Sequence, residues 1–565
     1  MECKRSFKSM LIASLIVSCT LQANAQEEKQ QWVESKLKTM TLRKQIAQLF
    51  VIGCYPKRGE QHIKRVAETI RSEQIGGLIW GECSPTEYIN TLNRLQSQVK
   101  IPLLVTIDAE WGVAMRLDSV VRFPQQLTLG AIQDDNLIYE LGLEVARQCN
   151  EIGVHFNYAP VVDVNNNPDN PVINMRSFGE NKYKVTEKAY WYMKGMHDGG
   201  ILTCLKHFPG HGDTDKDSHR ELPTILHNKK RLNEVELYPF RELIKRGATG
   251  VMTGHLLVPA LSSDKSPASQ SKKISTDLLQ KELEFNGLVV TDALEMRGAT
   301  YKRDASKVAL YALMAGNDML ELPINIKKSI DEIEKAVNNG TLSKKYIQEK
   351  CKKILETKYD LGLHNGFEPI DPEGIVERLN TEAAKALCMN LAEASLTLLS
   401  NKNRLPLDSK KIKYMEIGQG SAFKKQIKEY CAVDTLTIDI DYTKENLDSL
   451  AANLQNAGTI IVGYHNVPRG RSYVNFGMNS PVIDFLDNLT KGNKVVLVFF
   501  GNPYAMAHFK NPENFEALIA AYDNSDEAQI SSAKALFGKQ NFSGKLPVTI
   551  NENYKEDFGL STDWQ

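Results

Sequence analysis

Residues 201–219 read ILTCLKHFPGHGDTDKDSH, an apolar run that turns abruptly into a polar loop. The run ends in Lys206 and His207, a Pro-Gly turn follows, and Asp217 and His219 close the stretch. A short apolar run that is bounded by turn residues is typical of a buried strand. The stretch therefore predicts a strand that leads into a loop rich in histidine and aspartate.

The same pattern recurs between residues 47 and 323. Amphipathic, helix-like stretches separate most of the apolar runs. Runs that alternate with helices predict a parallel sheet covered by helices, and eight such units fit a closed (β/α)8 barrel. The eight predicted strands lie at 47–53, 75–81, 102–112, 154–164, 202–212, 249–256, 287–296 and 316–323.

The pattern changes near residue 360. A predicted helix at 344–363 precedes a linker punctuated by Gly and Pro, and another helix is predicted from about Ile375 to Ala394. We therefore predict an α/β protein with a (β/α)8 TIM-like barrel over 26–364. Residues 365–394 connect it to a layered α/β sandwich domain over 395–565. The strands predicted for this second domain lie at 395–401, 412–418, 435–440, 459–464, 494–501 and 515–522.

Residues 1–25 have the composition of a signal peptide. Basic residues precede an apolar core, and Ala23-Asn24-Ala25 has the small-x-small form of a signal-peptidase site. We expect an exported, periplasmic protein. The segment that ends at Cys19 also resembles a lipobox, so a lipoprotein anchored through Cys19 is the alternative. No later segment has the ~20 apolar residues that span a bilayer.

The overall charge favours neither nucleic acid nor an anionic membrane as a partner. Lys plus Arg and Asp plus Glu both number 69, so no global field attracts a polyanion. The cysteines are scattered without CxxC pairs, which indicates neither a disulfide framework nor a zinc knuckle. The second domain lacks a phosphate-binding glycine loop, and we predict no cofactor. A small or neutral ligand is the expected partner.

In a (β/α)8 barrel the active site lies at the carboxyl ends of the strands, so polar residues that end the apolar runs are the functional candidates. For Asp163, His255, Asp318 and Glu321 we favour a simpler role, as helix caps or ligands of loop backbone. The full set of strand-end candidates is Asp108, Glu110, Asp163, Lys206, His207, His255, Asp292, Asp318 and Glu321.

Two of these segments together have the chemistry of glycoside cleavage. Asp292, at the end of GLVVTD, is a candidate nucleophile. His219 is a candidate proton donor, since the reference pKa of histidine, about 6.5, suits neutral pH. Asp217 lies two residues earlier, on the same face of an extended chain, and can orient the imidazole. Taken alone, such a pair is more often a turn stabiliser or a solvated polar cluster than a catalytic dyad.

A metal site is a further alternative for this loop, because its side chains include ligands that zinc or manganese prefers. No HExxH or similar helical spacing accompanies them, and we predict no metal. The potential ligands are His207, His211, Asp213, Asp215, Asp217 and His219.

The segments KHFPGHGDTDKDSH and VVTDALEM closely resemble the signature segments of the β-N-acetylglucosaminidases of glycoside hydrolase family 3. IPLLVTIDAEWGVAMRL, FNYAPVVDVNNNPDNPVINMRSFG and FSGKLPVTI extend the resemblance over nearly the whole predicted mature chain. The resemblance implies that Asp292 is the nucleophile, His219 the acid/base and Asp217 its partner. It also implies that the sugar is bound by Asp108, Arg116, Arg176, Lys206 and His207.

One departure concerns Trp111, which stands in DAEWGVA where many bacterial relatives have glycine. An indole there either stacks on a sugar or aglycone or packs against the second domain. Its effect on subsite preference stays open.

By this resemblance we expect a retaining hydrolase that removes terminal β-linked N-acetylglucosamine. A phosphorylase is the main alternative, since a histidine donor does not repel an incoming phosphate as a carboxylate does. A β-glucosidase of the same family is a second alternative, and a non-catalytic sugar-binding barrel is a third. The sequence leaves open whether the natural substrate is a peptidoglycan fragment, a chitooligosaccharide or a host glycan.

Overall fold

The computed structural model describes residues 26–439, 442–454, 457–465 and 476–564. The predicted signal peptide and the alternative anchor at Cys19 lie outside the described residues.

Eight parallel strands form the sheet of the first domain, and all eight predicted strands are confirmed. Their order is β7-β6-β5-β4-β3-β2-β1-β8. A parallel bridge between Val290 and Met319 joins the two ends, so the sheet closes on itself. The strands are β1 Phe50–Cys54, β2 Gly77–Trp80, β3 Leu104–Ile107, β4 Phe156–Asn157, β5 Leu202–Phe208, β6 Gly250–Thr253, β7 Leu288–Thr291 and β8 Leu320–Glu321.

Helices cover the outside of this barrel, as the alternating pattern predicts. The strand residues are almost all buried, because side chains fill the interior and helices cover the exterior. The helices are α1 (residues 26–39), α2 Leu42–Ala47, α3 Glu60–Glu73, α4 Pro85–Gln96, α5 Gln126–Gly130, α6 Asp135–Glu151, α7 Lys182–Asp198, α8 Lys229–Glu234, α9 Leu237–Lys245, the π-helical Lys273–Glu282, α10 Arg297–Thr300, α11 Val308–Met314, α12 Ile326–Asn338 and α13 Lys344–Asp360.

The predicted helix from Ile375 to Ala394 is wrong as a single element. The chain forms α14 Ile375–Leu379 and α15 Glu382–Ser395 instead. Thr381 is extended and its side chain accepts a hydrogen bond from Ala384 N, so it caps α15. The Asn380 side chain accepts a hydrogen bond from Val121 N, which ties the break to the barrel.

The second domain is a layered α/β sandwich, as predicted. Its sheet has the order β11-β10-β12-β13-β14-β9, and only the edge strand β9 runs antiparallel to its neighbour. Alternate residues of β12 face opposite layers: Ile460 and Val462 join one apolar cluster and Ile461 the other. The elements are β9 Thr397–Asn401, β10 Lys411–Ile417, α16 Ser421–Ile427, β11 Ala432–Ile438, α17 Lys444–Asn453, β12 Thr459–Tyr464, α18 Ser480–Leu489, β13 Lys494–Phe499, β14 Ala517–Ala520 and α19 Asp526–Leu536.

The two domains meet at the long loop that follows β4. Asn502 Nδ2 donates to Asn174 Oδ1 at 2.6 Å, and Asn165 Nδ2 donates to Tyr504 Oη at 3.0 Å. All four residues are buried or nearly so. Because Arg176 lies on the same loop, the second domain supports a predicted sugar-binding residue. Within the described ranges, no helix has both the length and the apolar character to cross a membrane.

Candidate active site

A cavity of about 660 Å³ opens at the carboxyl ends of the barrel strands. Asp292 directly follows β7, and His219 lies on the loop after β5; both line this cavity. It is also lined by all five predicted sugar-binding residues: Asp108, Arg116, Arg176, Lys206 and His207. The structure therefore brings together the residues that the sequence analysis selected, at the end of the barrel where such sites form.

Hydrogen bonds to the backbone of Thr253 and Ala293 hold Asp292 in place. Its N–H donates to Thr253 O at 3.0 Å, and its Oδ1 accepts from Ala293 N at 2.8 Å. Burial disfavours the charged form, but His255, His207 and the Ala293 N–H outweigh burial and hold the pKa of Asp292 below its ordinary value. The carboxylate is thus ionised at neutral pH, as a nucleophile requires.

A chain of buried and half-buried ion pairs lines another side of the cavity, and we call it the cradle. It consists of Asp108, Glu110, Arg116, Arg176 and Lys206. Lys206 Nζ lies 2.8 Å from both Asp108 Oδ1 and Glu110 Oε1. Arg116 Nη2 donates to Asp108 Oδ2 at 2.6 Å. Arg176 binds Glu110 through two parallel hydrogen bonds of 2.7 and 2.9 Å.

Each cradle group stays charged despite its burial. Burial favours protonation of Glu110, but Arg176 and Lys206 outweigh it and lower its pKa to about 2. Burial likewise favours neutral Lys206, yet Asp108 and Glu110 raise its pKa. Charged donors and acceptors fixed in this way form strong, directional hydrogen bonds with sugar hydroxyls.

Asp163 organises the start of the β5 loop. Its carboxylate accepts hydrogen bonds from the backbone N–H groups of His207 and His211, so the predicted role as a ligand of loop backbone is confirmed. It also lies 2.8 Å from His207 Nδ1. A proton on Nδ1 leaves His207 Nε2 free to accept, and Arg176 Nη2 is 3.4 Å from it. Asp163 therefore positions His207 toward the cavity.

The predicted pair of Asp217 and His219 is formed. Asp217 Oδ1 lies 2.9 Å from His219 Nδ1 and also accepts from the His219 backbone N–H at 2.9 Å. Burial of Asp217 favours protonation, but these two hydrogen bonds hold its pKa below the ordinary value. The His219 side chain is 63% exposed, whereas that of Asp217 is 22% exposed.

The remaining polar residues of this loop form separate pairs. His211 contacts Thr214 Oγ1 and Ser218 Oγ, and Asp213 contacts His227. Within the described residues, no group of three or more His, Cys, Asp or Glu side chains is arranged to hold a metal ion.

Three other strand-end candidates have different outcomes. Asp318 pairs with Lys350 and Lys353, and its Oδ2 accepts from Val289 N. His255 contacts Ala293 O, next to the candidate nucleophile. For Glu321 the predicted capping role is wrong: its side chain lines the cavity, and its Oε2 is buried without a hydrogen-bond partner among the described residues.

Sequence reasoning named Glu110 as a strand-end candidate without giving it a partner, and it gave Asp163 and Glu321 a role outside the sugar site. All three were visible as polar residues at strand ends, but their partners lie on other strands. Trp111 lines the cavity and is partly exposed, with the Arg122 guanidinium 5.6 Å from its ring centroid. An exposed ring face at the cavity wall is suited to stacking on a ligand.

Residues 41–357 match the model of the glycosyl hydrolase family 3 N-terminal domain. The chain belongs to glycosyl hydrolase family 3. Residues 396–562 match the C-terminal domain of the same family. The family resemblance read from the two signature segments is thereby confirmed.

Several proteins named as hexosaminidases or acetylglucosaminidases are similar to this chain over most of their length. A beta-hexosaminidase A of Pseudoalteromonas piscicida is 28% identical over 86% of this chain and 91% of its own. A beta-hexosaminidase of Mycobacterium tuberculosis is 33% identical over 53% of this chain and 78% of its own. The structure of a family 3 beta-N-acetylglucosaminidase from a Paenibacillus species superposes with a TM-score of 0.78 at 28% identity, covering 91% of this chain and 99% of that one.

Proposed function

We propose that this family 3 protein is a retaining β-N-acetylglucosaminidase that removes terminal N-acetylglucosamine from oligosaccharides. The observation that carries the proposal is one cavity lined by ionised Asp292, by His219 and by the cradle, with Asp217 hydrogen-bonded to His219 beside it. Relatives named beta-hexosaminidase and beta-N-acetylglucosaminidase support the choice of sugar.

In the first step Asp292 attacks the anomeric carbon and forms a glycosyl-enzyme bond. Protonated His219 donates its proton to the leaving oxygen, and Asp217 stabilises the imidazolium from Nδ1. In the second step neutral His219 takes a proton from water, which attacks the same carbon and releases Asp292. Two inversions at this carbon give net retention.

The cradle determines which end of the glycan reacts. Its charged groups line the cavity at the carboxyl ends of the barrel strands, so a sugar enters with its non-reducing edge toward Asp108 and Lys206. Charge-assisted hydrogen bonds to adjacent hydroxyls then hold the ring over Asp292. The leaving group extends past His219, whose exposed position faces solvent.

We further propose that the protein is exported and acts in the periplasm on peptidoglycan fragments or related oligosaccharides. The support is the signal-peptide pattern of residues 1–25. The mass of the mature N-terminus tests this proposal. Processing after Ala25 supports a freely exported protein, whereas a lipid on Cys19, absent from Cys19→Ala, supports an anchored one.

Release of p-nitrophenol from the β-N-acetylglucosaminide and from the β-glucoside, each with and without phosphate, tests the catalytic proposal. We expect hydrolysis of the β-N-acetylglucosaminide that does not depend on phosphate. Asp292→Ala is expected to lower kcat on the order of 10⁴-fold or more. Asp213→Ala is the matched control, because this aspartate lies on the loop after β5, near the site, but pairs with His227.

Full activity of Asp292→Ala refutes the nucleophile assignment. A sugar 1-phosphate formed only with phosphate present makes the protein a phosphorylase. A preference for the β-glucoside reassigns the substrate without changing the roles of Asp292 and His219.

A further inference from the structure

Glu321 is the one acidic residue of the cavity wall that neither the cradle nor the proposed mechanism uses and whose carboxyl group is buried. It is the last residue of β8, and the residue as a whole is 4% exposed. Its backbone is fixed on both sides: Glu321 N donates to Thr291 Oγ1 at 2.9 Å, and Leu294 N donates to Glu321 O at 2.9 Å. The side chain therefore has a defined position next to the Asp292 segment.

The carboxyl group of Glu321 lacks the partners that a buried carboxylate needs. Oε2 is buried without a hydrogen-bond partner among the described residues, although the side chain lines the cavity. A buried polar atom left unpaired costs about 1–3 kcal/mol. An unpaired polar atom on a residue that lines a binding cavity points to a ligand as the missing partner.

The charges around Glu321 favour its neutral form. Burial raises the pKa of Glu321 most, and the carboxylates of Asp108 and Asp292 raise it further. Lys206 and Arg116 lower this pKa, but their effects are smaller. The balance raises the pKa of Glu321 well above its ordinary value. The other titratable groups that interact with it are Tyr55, Tyr158 and Cys204.

A neutral carboxyl group differs from every cradle carboxylate in one respect: it carries an O–H donor as well as an acceptor. The carboxylates of the cradle are already occupied by Lys206, Arg116 and Arg176. No cation among the described residues pairs with Glu321 in this way, so its O–H is available to a bound molecule. A sugar hydroxyl, which is both donor and acceptor, is the complementary partner.

We propose that Glu321 is a further sugar-binding residue, which donates a hydrogen bond to one hydroxyl group of the terminal sugar from the β8 side of the cavity. This inference rests on the proposed function, since it assumes a sugar in the cavity. Glu321 then completes a ring of contacts in which the cradle binds one edge of the sugar and β8 binds another. It selects among sugars by the orientation of that hydroxyl.

The test measures kcat and KM of wild type, Glu321→Gln and Glu321→Leu with p-nitrophenyl β-N-acetylglucosaminide and its 3-, 4- and 6-deoxy analogues. Gln keeps a neutral donor and acceptor of nearly the same shape, whereas Leu keeps only the volume. We expect Glu321→Gln to retain kcat/KM within about threefold and Glu321→Leu to lose roughly ten- to a hundredfold. The loss in Glu321→Leu should vanish for one deoxy analogue, which identifies the hydroxyl.

Asp487→Asn is the matched control, because Asp487 is a buried carboxyl group with a raised pKa in the second domain. It should leave kcat and KM unchanged with every substrate. An infrared difference spectrum of wild type against Glu321→Gln at pH 7 should show the band of a protonated carboxyl group. The infrared measurement therefore tests the inference even if Glu321→Leu does not fold.

Three results overturn the inference: equal losses in the Gln and Leu variants, a Leu variant whose loss is the same for every analogue, or an ionised Glu321 in the infrared spectrum. The proposed function can fail separately. A wild type that cleaves only β-glucosides refutes the choice of N-acetylglucosamine, and the deoxy series is then run on the glucoside.

Discussion

The two sides of the active site are built in opposite ways. On the cradle side, Glu110 and Lys206 are almost completely buried and each is paired with two partners. On the loop side, His219 is largely exposed and is held by Asp217 alone among the described residues. The comparison separates two tasks. In the proposed mechanism, sugar recognition is preorganised by the largely buried charges of the cradle, whereas the proton donor stands on a loop with few supporting contacts.

This difference suits the chemistry. A cradle that is formed before the substrate arrives loses little free energy to reorganisation when the sugar binds. A proton donor must instead meet different leaving groups and then admit water, which a loop with an exposed side chain allows. The loop is fixed directly before the exposed His219, because Ser218 is buried, its hydroxyl contacts His211 and its carbonyl oxygen accepts a hydrogen bond from Gly298 N.

His219→Ala, on the loop side, should give the largest loss of kcat with almost no change in stability. Loss of a general acid lowers kcat on a natural disaccharide by roughly 10²–10⁴-fold, and the loss should be smaller with p-nitrophenolate, which needs little protonation. Unfolding stability should stay within about 0.5 kcal/mol because the side chain is exposed. His227→Ala, which breaks the other His–Asp pair of this region, is the control. Equal losses on both substrates contradict the donor role.

Glu110→Gln tests the cradle side and should change both stability and binding. It removes the charge shared by Arg176 and Lys206, so we expect unfolding to become easier by about 1.5–3 kcal/mol. KM should rise roughly ten- to a hundredfold as both cations lose their orientation. Denaturant unfolding and steady-state kinetics measure the two effects.

Glu73→Gln is the matched control for this variant. Glu73 binds Arg43 through two parallel hydrogen bonds, outside the cavity. It should lower stability by a smaller amount and leave KM unchanged. A Glu110→Gln variant that loses stability without any change in KM shows that the cradle is structural and does not bind the sugar.

The lowered pKa values of Asp292 and Asp217 predict the pH dependence of the loop side. Both carboxylates are ionised in the folded protein at pH values down to below the ordinary aspartate pKa of about 3.9. Their charged forms are lost only as the pH falls through these lowered values. Consequently kcat/KM should not decline because of these carboxylates between about pH 7 and pH 4.5. Steady-state kinetics over this pH range measures the effect, and circular dichroism at each pH distinguishes acid unfolding from loss of catalysis.

Asp217→Asn removes the carboxylate that, in the proposed mechanism, stabilises the imidazolium of His219. We expect a loss of roughly ten- to a hundredfold in kcat, with KM nearly unchanged. An Asp217→Asn variant with wild-type kcat on natural disaccharides excludes the dyad.

Much of this arrangement follows from local sequence signals. Each barrel strand is a short apolar run, and parallel strands in a closed sheet all end on the same side, so Asp108, Lys206 and Asp292 were predicted to converge. Asp217 and His219 are close because they are close in sequence. The fold and the dyad are therefore visible without knowledge of distant contacts.

What the sequence does not show is which distant groups share a partner. Glu110 matters because Lys206 from β5 and Arg176 from the β4 loop both bind it. The sequence predicts a capping or backbone-binding role for Glu321, because its closeness to the charges of Asp108 and Asp292 depends on barrel closure. Likewise, the break before α15 depends on the contact of Asn380 with Val121 in the barrel.

The smallest effect tests whether the second domain contributes to the cradle. Tyr504→Phe removes the hydroxyl that binds Asn165 on the loop of Arg176, and Tyr522→Phe removes a buried hydroxyl that binds Thr397 within the second domain. Each should lower stability by about 0.5–1.5 kcal/mol. Only Tyr504→Phe should raise KM, by about two- to fivefold, because a less restrained loop holds Arg176 less firmly against Glu110. An equal KM in both variants means that the barrel alone orients Arg176, and the second domain then contributes stability without shaping the sugar site.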